Sequence, residues 1–308
     1  MSEVSSIKRP APPTKQPGVV VRLNVERPEY YANRAPSTEF GVVQKPLTSW
    51  EKLLNNSAAR KIGILIVLAV IWEVYARILN NALLFPTLTA TIEALVEGII
   101  SGGLLGKVWF SIKILLTGYG AGLALEALLT VFAITSRIGR DFLETLTSMF
   151  NPLPAIALLP LSLLWFGLGT GSLVFVLIHS VVWAVALNTH SGFQSVSTTL
   201  RMVGHNYGLS GLRYVFQILI PAAFPSILTG LKIGWAFAWR TLIAAKLVFG
   251  VSSGSGGLGW FISENKNQLE IPSVFAGLLT VIMIGLFVEN FIFRIIEQCT
   301  VQKWGMQN

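Results

Sequence analysis

Residues 190–221 read HSGFQSVSTTLRMVGHNYGLSGLRYVFQILIP, and residues 222–250 continue AAFPSILTGLKIGWAFAWRTLIAAKLVFG. The second stretch is apolar for longer than the roughly 20 residues a helix needs to cross about 30 Å of hydrocarbon. The first is polar and far longer than a turn between two packed helices requires. It holds a short helical segment of its own, from Thr198 to about Asn206. Gly208 then supplies a residue suited to the left-handed conformation in which helices end. Ser210 is placed to cap the next helix, which carries Arg213, Tyr214 and Phe216 toward the membrane at Pro221. A short helix bounded by glycine and joined to the following span suits a lever that docks on another protein.

The rest of the chain fits a membrane setting. Of 308 residues, 53% are apolar and 12% charged, about half the charge of an average soluble domain, and mean hydropathy is +0.64. A soluble enzyme of this size would need more charge to cover its surface. Besides 222–250, apolar stretches lie at about 62–81, 107–135, 142–166, 171–189 and 273–296. The reading is therefore all-α, a polytopic membrane protein with about six transmembrane helices. Residues 84–104 have a helical pattern but carry Glu93 and Glu97, and are expected to form an external re-entrant or surface helix. Residues 1–47 have no apolar periodicity and are expected to be a disordered tail, with an amphipathic helix at 48–61 resting Trp50, Leu53 and Leu54 on the membrane. That divides the chain into a tail at 1–61, a membrane domain at 62–296 and a second tail at 297–308.

The net charge of +8 is placed unevenly: ten Lys/Arg and five Asp/Glu in residues 1–61 leave +5 there. Arg137, Arg140, Arg201, Arg213 and Lys303 fall on the same side as that tail, whereas Glu93, Glu97, Glu264, Lys266 and Glu270 fall opposite. This is the asymmetry of cytoplasmic loops, and both termini are expected inside. It is not the basic stripe of a nucleic-acid binder.

Catalytic chemistry finds no foothold. Gly102 to Lys107 lacks P-loop spacing, and the glycine-rich run 250–259 follows a span, where a dinucleotide site is not expected. His179, His190 and His205 have no ligand spacing for a metal, and the single cysteine, Cys299, excludes an internal disulfide and a CxxC site. No catalytic residue and no metal is expected. Pro152, Pro154 and Pro160 break the third apolar stretch; kinks repaired by neighbouring helices and a broken helix beside a translocation path are both open readings. Gly118, Gly120, Ala121 and Gly122 suit close helix packing.

The connection at 190–221 resembles the cytoplasmic signature of ABC importer permeases: EAA, three residues, Gly, nine residues, Ile-x-Leu-Pro. Gly208 matches the glycine, and Ile218, Ile220 and Pro221 match the end, with Ile for Leu. The EAA positions hold Met202, Val203 and Gly204, so the glutamate is absent. The phrase VGHNYGLSGLRYVFQILIPAAFPSILTGLKIGWAFAW, the third stretch NPLPAIALLPLSLLWFGLG and the Trp304-Gly305 tail are similar to the sulfonate, nitrate and taurine importer branch. The resemblance spans about 60–305. It implies a type I ABC importer permease fold in the bacterial plasma (inner) membrane. It also implies a second permease copy, two cytoplasmic ABC ATPase subunits that carry ATP and Mg, and an extracytoplasmic solute-binding protein. This chain itself would bind no cofactor and catalyse nothing. Docking on the ATPase would fall to Met202, Val203, Gly204, Gly208, Leu209 and Ser210. A standalone ion-coupled transporter or channel is the rival reading, and it leaves the long connection unexplained.

Charges within spans remain. Glu73 and Arg77 are i,i+4 and suit a local pair. Lys232 is near enough to the inner end to snorkel. Lys246 stands where the resembling permeases commonly carry Glu, and Glu126 is unusual in the second span. Two readings follow: Glu126 pairs with Lys246 or Arg240 across helices, or Arg240 and Lys246 provide positive potential for an anion, which a guanidinium fork binds bidentately.

Overall fold

The computed structural model describes residues 55–249, 256–303 and 305. The expected tail 1–47, residues Trp50, Leu53 and Leu54 of the expected surface helix, most of the glycine-rich run and Trp304 lie outside them. Every regular element among the described residues is helical. Helix α1 (Ser57–Leu79) starts inside the stretch expected to be a surface helix and continues unbroken through the first span. Helix α2 (Leu88–Ile100) is too short to cross, at about 20 Å. Thr87 caps it by accepting from the Ala90 N–H at 3.2 Å. Helix α3 (Leu104–Thr135) is the second span, and α4 (Arg137–Phe150) follows behind the cap Ser136. A single turn (Ala155–Leu158) leads into α5 (Leu159–Phe166), then α6 (Thr170–Ser195) and α7 (Thr198–Asn206).

The chain re-enters through α8 (Gly211–Tyr214) and a π turn, Val215–Leu219, into α9 (Ile220–Phe249). Helix α10 (Leu258–Asn267) precedes α11 (Ile271–Phe287), which continues through a π segment, α12 (Arg294–Glu297) and a last π turn to Gln302. By length and composition, five stretches can cross a bilayer: Ser57–Leu79, Leu104–Thr135, Thr170–Ser195, Gly211–Leu247 and Ile271–Gln302. The pair Arg137–Phe150 and Ala155–Phe166 passes the same test as a sixth, bent by 91°.

Helix α6 is the axis of the packing. Leu177, Val181 and Val185 project from it at i,i+4 spacing and are almost completely buried. Its neighbours meet this ridge with glycine. A Cβ on Gly118 would lie 2.6 Å from Leu177 Cβ, and one on Gly122 2.8 Å from Val181 Cβ. On α9, Gly230 and Gly234 admit Asn188 and Val185 at 2.8 and 3.0 Å. Small residues spaced by four make a groove that lets backbones approach, as between helices in lipid. Gly120 takes no part, with nothing within 4 Å of its Cβ position.

These contacts also fix direction. Residue numbers rise together along α3 and α6, so those two helices are parallel, whereas Gly192 faces Ser226 and Gly230 faces Asn188, so α6 and α9 are antiparallel. Parallel α3 and α6 require the bent pair to return the chain across once. Polar links sort the two ends accordingly. Lys107 pairs with Glu264 at 2.9 Å on one side. Lys232 pairs with Glu297 at 2.6 Å, and His190 Nε2 lies 2.9 Å from Glu144, on the other. The expected Glu73–Arg77 pair forms at 2.7 Å, and Glu73 also accepts from Thr89, tying α1 to the start of α2.

Candidate functional site

The bend between α4 and α5 has a local cause. Pro152 and Pro154 offer no N–H to a helical ladder; Asn151, just before Pro152, is still helical at φ −62° and ψ −37°, and Pro154 is extended, at φ −60° and ψ 120°. Pro160 acts differently from the sequence expectation. It occupies the first turn of α5, where a missing N–H costs nothing, so it opens that helix rather than breaking one.

Beside the elbow lies a cleft of about 370 Å³, whose walls include Phe150, Pro152, His179, Trp183, Arg240 and Thr241. The Arg240 Nε–H donates to Ala236 O at 3.1 Å, and its guanidinium lies 5.2 Å from the Phe237 ring centre. Its remaining N–H groups have no protein partner among the described residues, so a fork of donors is free toward the opening. Arg240 and Phe237 also border a second cavity of about 660 Å³, reaching Lys232, Trp235 and Glu289. The side chain thus stands where two cavities adjoin.

The other intramembrane charges are elsewhere. Lys246 is 2% exposed, its Nζ has no hydrogen-bond partner among the described residues, and it sits 5.2 Å from the Phe110 ring centre. Glu126 accepts from Thr130 Oγ1 at 2.7 Å. Among the described residues no ion pair joins Glu126 to Lys246 or Arg240, and depth explains why. Lys246 stands over Phe110 of α3, and Phe110 precedes Glu126 by about 24 Å along that helix. Arg240, on antiparallel α9, is about 9 Å nearer along the axis than Lys246, which still leaves it well away from the level of Glu126. The pairing reading therefore fails on geometry. Lys246 does not line the Arg240 cleft either, which leaves Arg240 alone as the cation open to a solute there.

The connection after α6 builds the expected lever. Ser197 caps α7 by accepting from the Leu200 N–H at 3.3 Å. At the other end Gly208 has φ +70°, with Gly208 N–H donating to His205 O at 2.9 Å and Leu209 N–H to Gly204 O at 3.0 Å. That is a Schellman closure, which glycine makes without strain. Ser210 stands at the cap position of α8, but its side chain makes no capping hydrogen bond. Arg201 donates to Val196 O and Phe193 O, satisfying the end of α6.

Exposure divides the docking residues. Met202, Val203, Gly208 and Ser210 are exposed and Leu209 half-buried, but Gly204 is buried. A Cβ there would lie 2.8 Å from the Tyr214 ring and 3.2 Å from Ile218 Cγ1. Gly204 is thus a clasp that seats α7 on the next helix, not a surface to dock on. Ile218 is the other half of the clasp, and Pro221, half-buried, lies in the first turn of α9.

Residues 118–300, more than half of the chain, match the family described as the binding-protein-dependent transport system inner membrane component. The chain belongs to this family. It is 31% identical over 243 residues to a putative ABC transporter permease protein of Methanocaldococcus jannaschii, covering 78% of this chain and 90% of that one. A nitrate import permease protein of Synechocystis is 30% identical over 60% of this chain and 66% of its own. A taurine transport system permease protein of Escherichia coli is 26% identical over 78% and 88%. The protein is thus a multi-pass membrane permease, a transport subunit and not an enzyme of the soluble kind.

Within the permease, the sequence candidates fall into three places. Pro152, Pro154 and Arg240 meet at the elbow cleft; Glu126 and Lys246 are buried apart from it; the signature residues form α7 and its clasp. Sequence reasoning weighed His179 only as a metal ligand and passed over Trp183; both line the cleft. It also missed Leu200, Tyr207, Leu212 and Phe216, exposed apolar side chains around α7. Their signal was present: large apolar residues in a polar connection have no core to fill.

Proposed function

We propose that this permease forms the membrane path of an ATP-driven importer for a small oxyanion of the sulfonate, nitrate or taurine kind. The observation that carries the proposal is Arg240, with a free guanidinium fork in the cleft at the elbow. A planar fork of charged donors suits a trigonal or tetrahedral oxyanion. The names of relatives as nitrate and taurine permeases support the same chemistry.

In this reading two copies of the chain line the path, and an extracytoplasmic binding protein delivers the solute. Both termini and α7 face the cytoplasm of the plasma membrane. The exposed apolar side chains of α7 seat in a groove of each of two ATPase subunits, which bind the ATP and Mg. With no glutamate at Met202, the contact is chiefly apolar packing. Nucleotide-driven closure then rocks the two permeases between outward- and inward-open states.

The test is co-purification with the cytoplasmic ATPase, followed by uptake of nitrate and taurine into proteoliposomes. Arg240→Gln is expected to abolish uptake while the complex still assembles. Unchanged uptake in that variant overturns the oxyanion role, and transport by this chain alone without ATP overturns the importer reading.

A further inference from the structure

Three nitrogens near the cleft are anomalous. His179 Nδ1, His179 Nε2 and Trp183 Nε1 are fully buried, and none has a hydrogen-bond partner among the described residues. Leaving a buried donor unmade costs about 1–3 kcal/mol, and such groups call for an explanation when they occur together. His179 and Trp183 are one turn apart on α6, and both line the cleft that holds Arg240. An indole N–H can only donate, and a neutral imidazole has one N–H in either tautomer. Two donors thus sit in the wall of a cleft that also holds the Arg240 cation and the neutral polar side chains of Asn151, Ser180 and Thr241.

The two rings meet each other edge-on, with centres 6.1 Å apart, and share a third aromatic neighbour on α4. Phe150 stacks on Trp183, with ring centres 5.3 Å apart and planes at 19°, and meets His179 edge-on at 6.0 Å. Phe150 is the last residue of α4, immediately before the proline break. Its position is therefore set by the arm of the elbow, not by α6. Phe150 is not one of the residues of the ridge Leu177, Val181 and Val185 that α6 presents to α3 and α9.

We propose that His179 and Trp183 are the hydrogen-bond donors of an oxyanion subsite completed by Arg240, and that Phe150 is its cover. This rests on the reading of Arg240 above and adds the side chains that recognise the anion's oxygens. With the elbow as it stands, Phe150 keeps both donors from the cleft. When the arm swings, an oxyanion held by the Arg240 fork accepts from the indole and imidazole N–H groups, and the cost of leaving them unpaired is recovered. A neutral solute that lacks anionic oxygens gains much less from the same donors.

The test uses the full chain with its co-purifying ATPase in lipid nanodiscs, labelled with ¹⁵N at the tryptophan indoles. Trp183→Phe identifies which of the nine indole N–H resonances belongs to Trp183. Titration with sodium nitrate and with sodium methanesulfonate is expected to shift that resonance saturably, and glycerol is expected not to. Phe150→Ala should lower the half-saturating concentration, and Arg240→Gln should raise it about tenfold or more. In the uptake assay His179→Leu should slow transport about tenfold or more, with His179→Asn, which keeps a donor, restoring part of the rate. A Trp183 resonance indifferent to both anions, in protein whose uptake still depends on Arg240, overturns the subsite and leaves the oxyanion path standing. A Phe150→Ala protein with unaltered half-saturation overturns the cover. Loss of Arg240 dependence in uptake overturns the path itself.

Discussion

Arg240 and Lys246 lie on one helix, about 9 Å apart along its axis, in apolar surroundings that read alike in the sequence. Around Arg240 the packing is open: the elbow leaves a cleft on one side and a second cavity adjoins on the other. Around Lys246 it is closed, with Phe110 of α3 across the ammonium and Gly259 of α10 against the lysine's own Cβ. The difference lies in the neighbours. Where α3 and α10 press on α9 a cation is sealed, and where a proline break holds a helix away a cation meets a cavity. A charge inside a span is thus a question about the facing element as much as about the charged residue.

Substitutions can break this contrast, because the sealed region should respond to volume and the open one to charge. The largest effect is expected at Gly259. A Cβ there would meet Ile243 O at 2.5 Å and Lys246 Cβ at 2.7 Å, so Gly259→Val should destabilise by more than about 3 kcal/mol and sharply reduce the yield of folded protein, read by thermal melting in detergent. Arg240→Lys comes next: it keeps the charge but loses the fork, and uptake should fall about tenfold or more, with melting altered by less than about 0.5 kcal/mol. An equal loss of stability would mean that Arg240 is structural.

Lys246→Met should do the reverse, leaving uptake in place and raising stability by about 1–3 kcal/mol, since an unpaired buried ammonium gives way to an apolar side chain of similar length. If Lys246→Met stops uptake, the sealed site belongs to the path and the contrast collapses. The smallest effect is expected for Lys232→Met. Its pair with Glu297 is about one-third exposed on each side, so the loss should stay below about 1 kcal/mol. A larger one would show that the pair locks the inner end.

How much of this was legible in the sequence depended on how local its cause was. The limits of α7, its glycine closure and the shortness of α2 follow from residues within a few positions, and the structure has them where the sequence places them. Pro152 and Pro154 announced a break, but its angle of 91° depends on where α5 finds a surface to pack on. The Glu126 pairing failed because charge and span number say nothing of depth. The contact of Lys246 with Phe110, which shows the level of the two helices, joins residues far apart in the chain. Gly204 was read as a docking residue because it occupies a signature position, yet the ring of Tyr214 claims that space. That His179 and Trp183 lack hydrogen-bond partners among the described residues depends on contacts between helices, which spacing along the chain does not show.

The elbow has a last consequence, in terms of what may touch hydrocarbon. Between Phe150 and Ala155 the chain has no regular helical ladder, and lipid offers no hydrogen bonds to replace one. Where that stretch lies within the hydrocarbon its backbone can face only water or protein, so lipid there has to meet other faces, such as the exposed flank of α1.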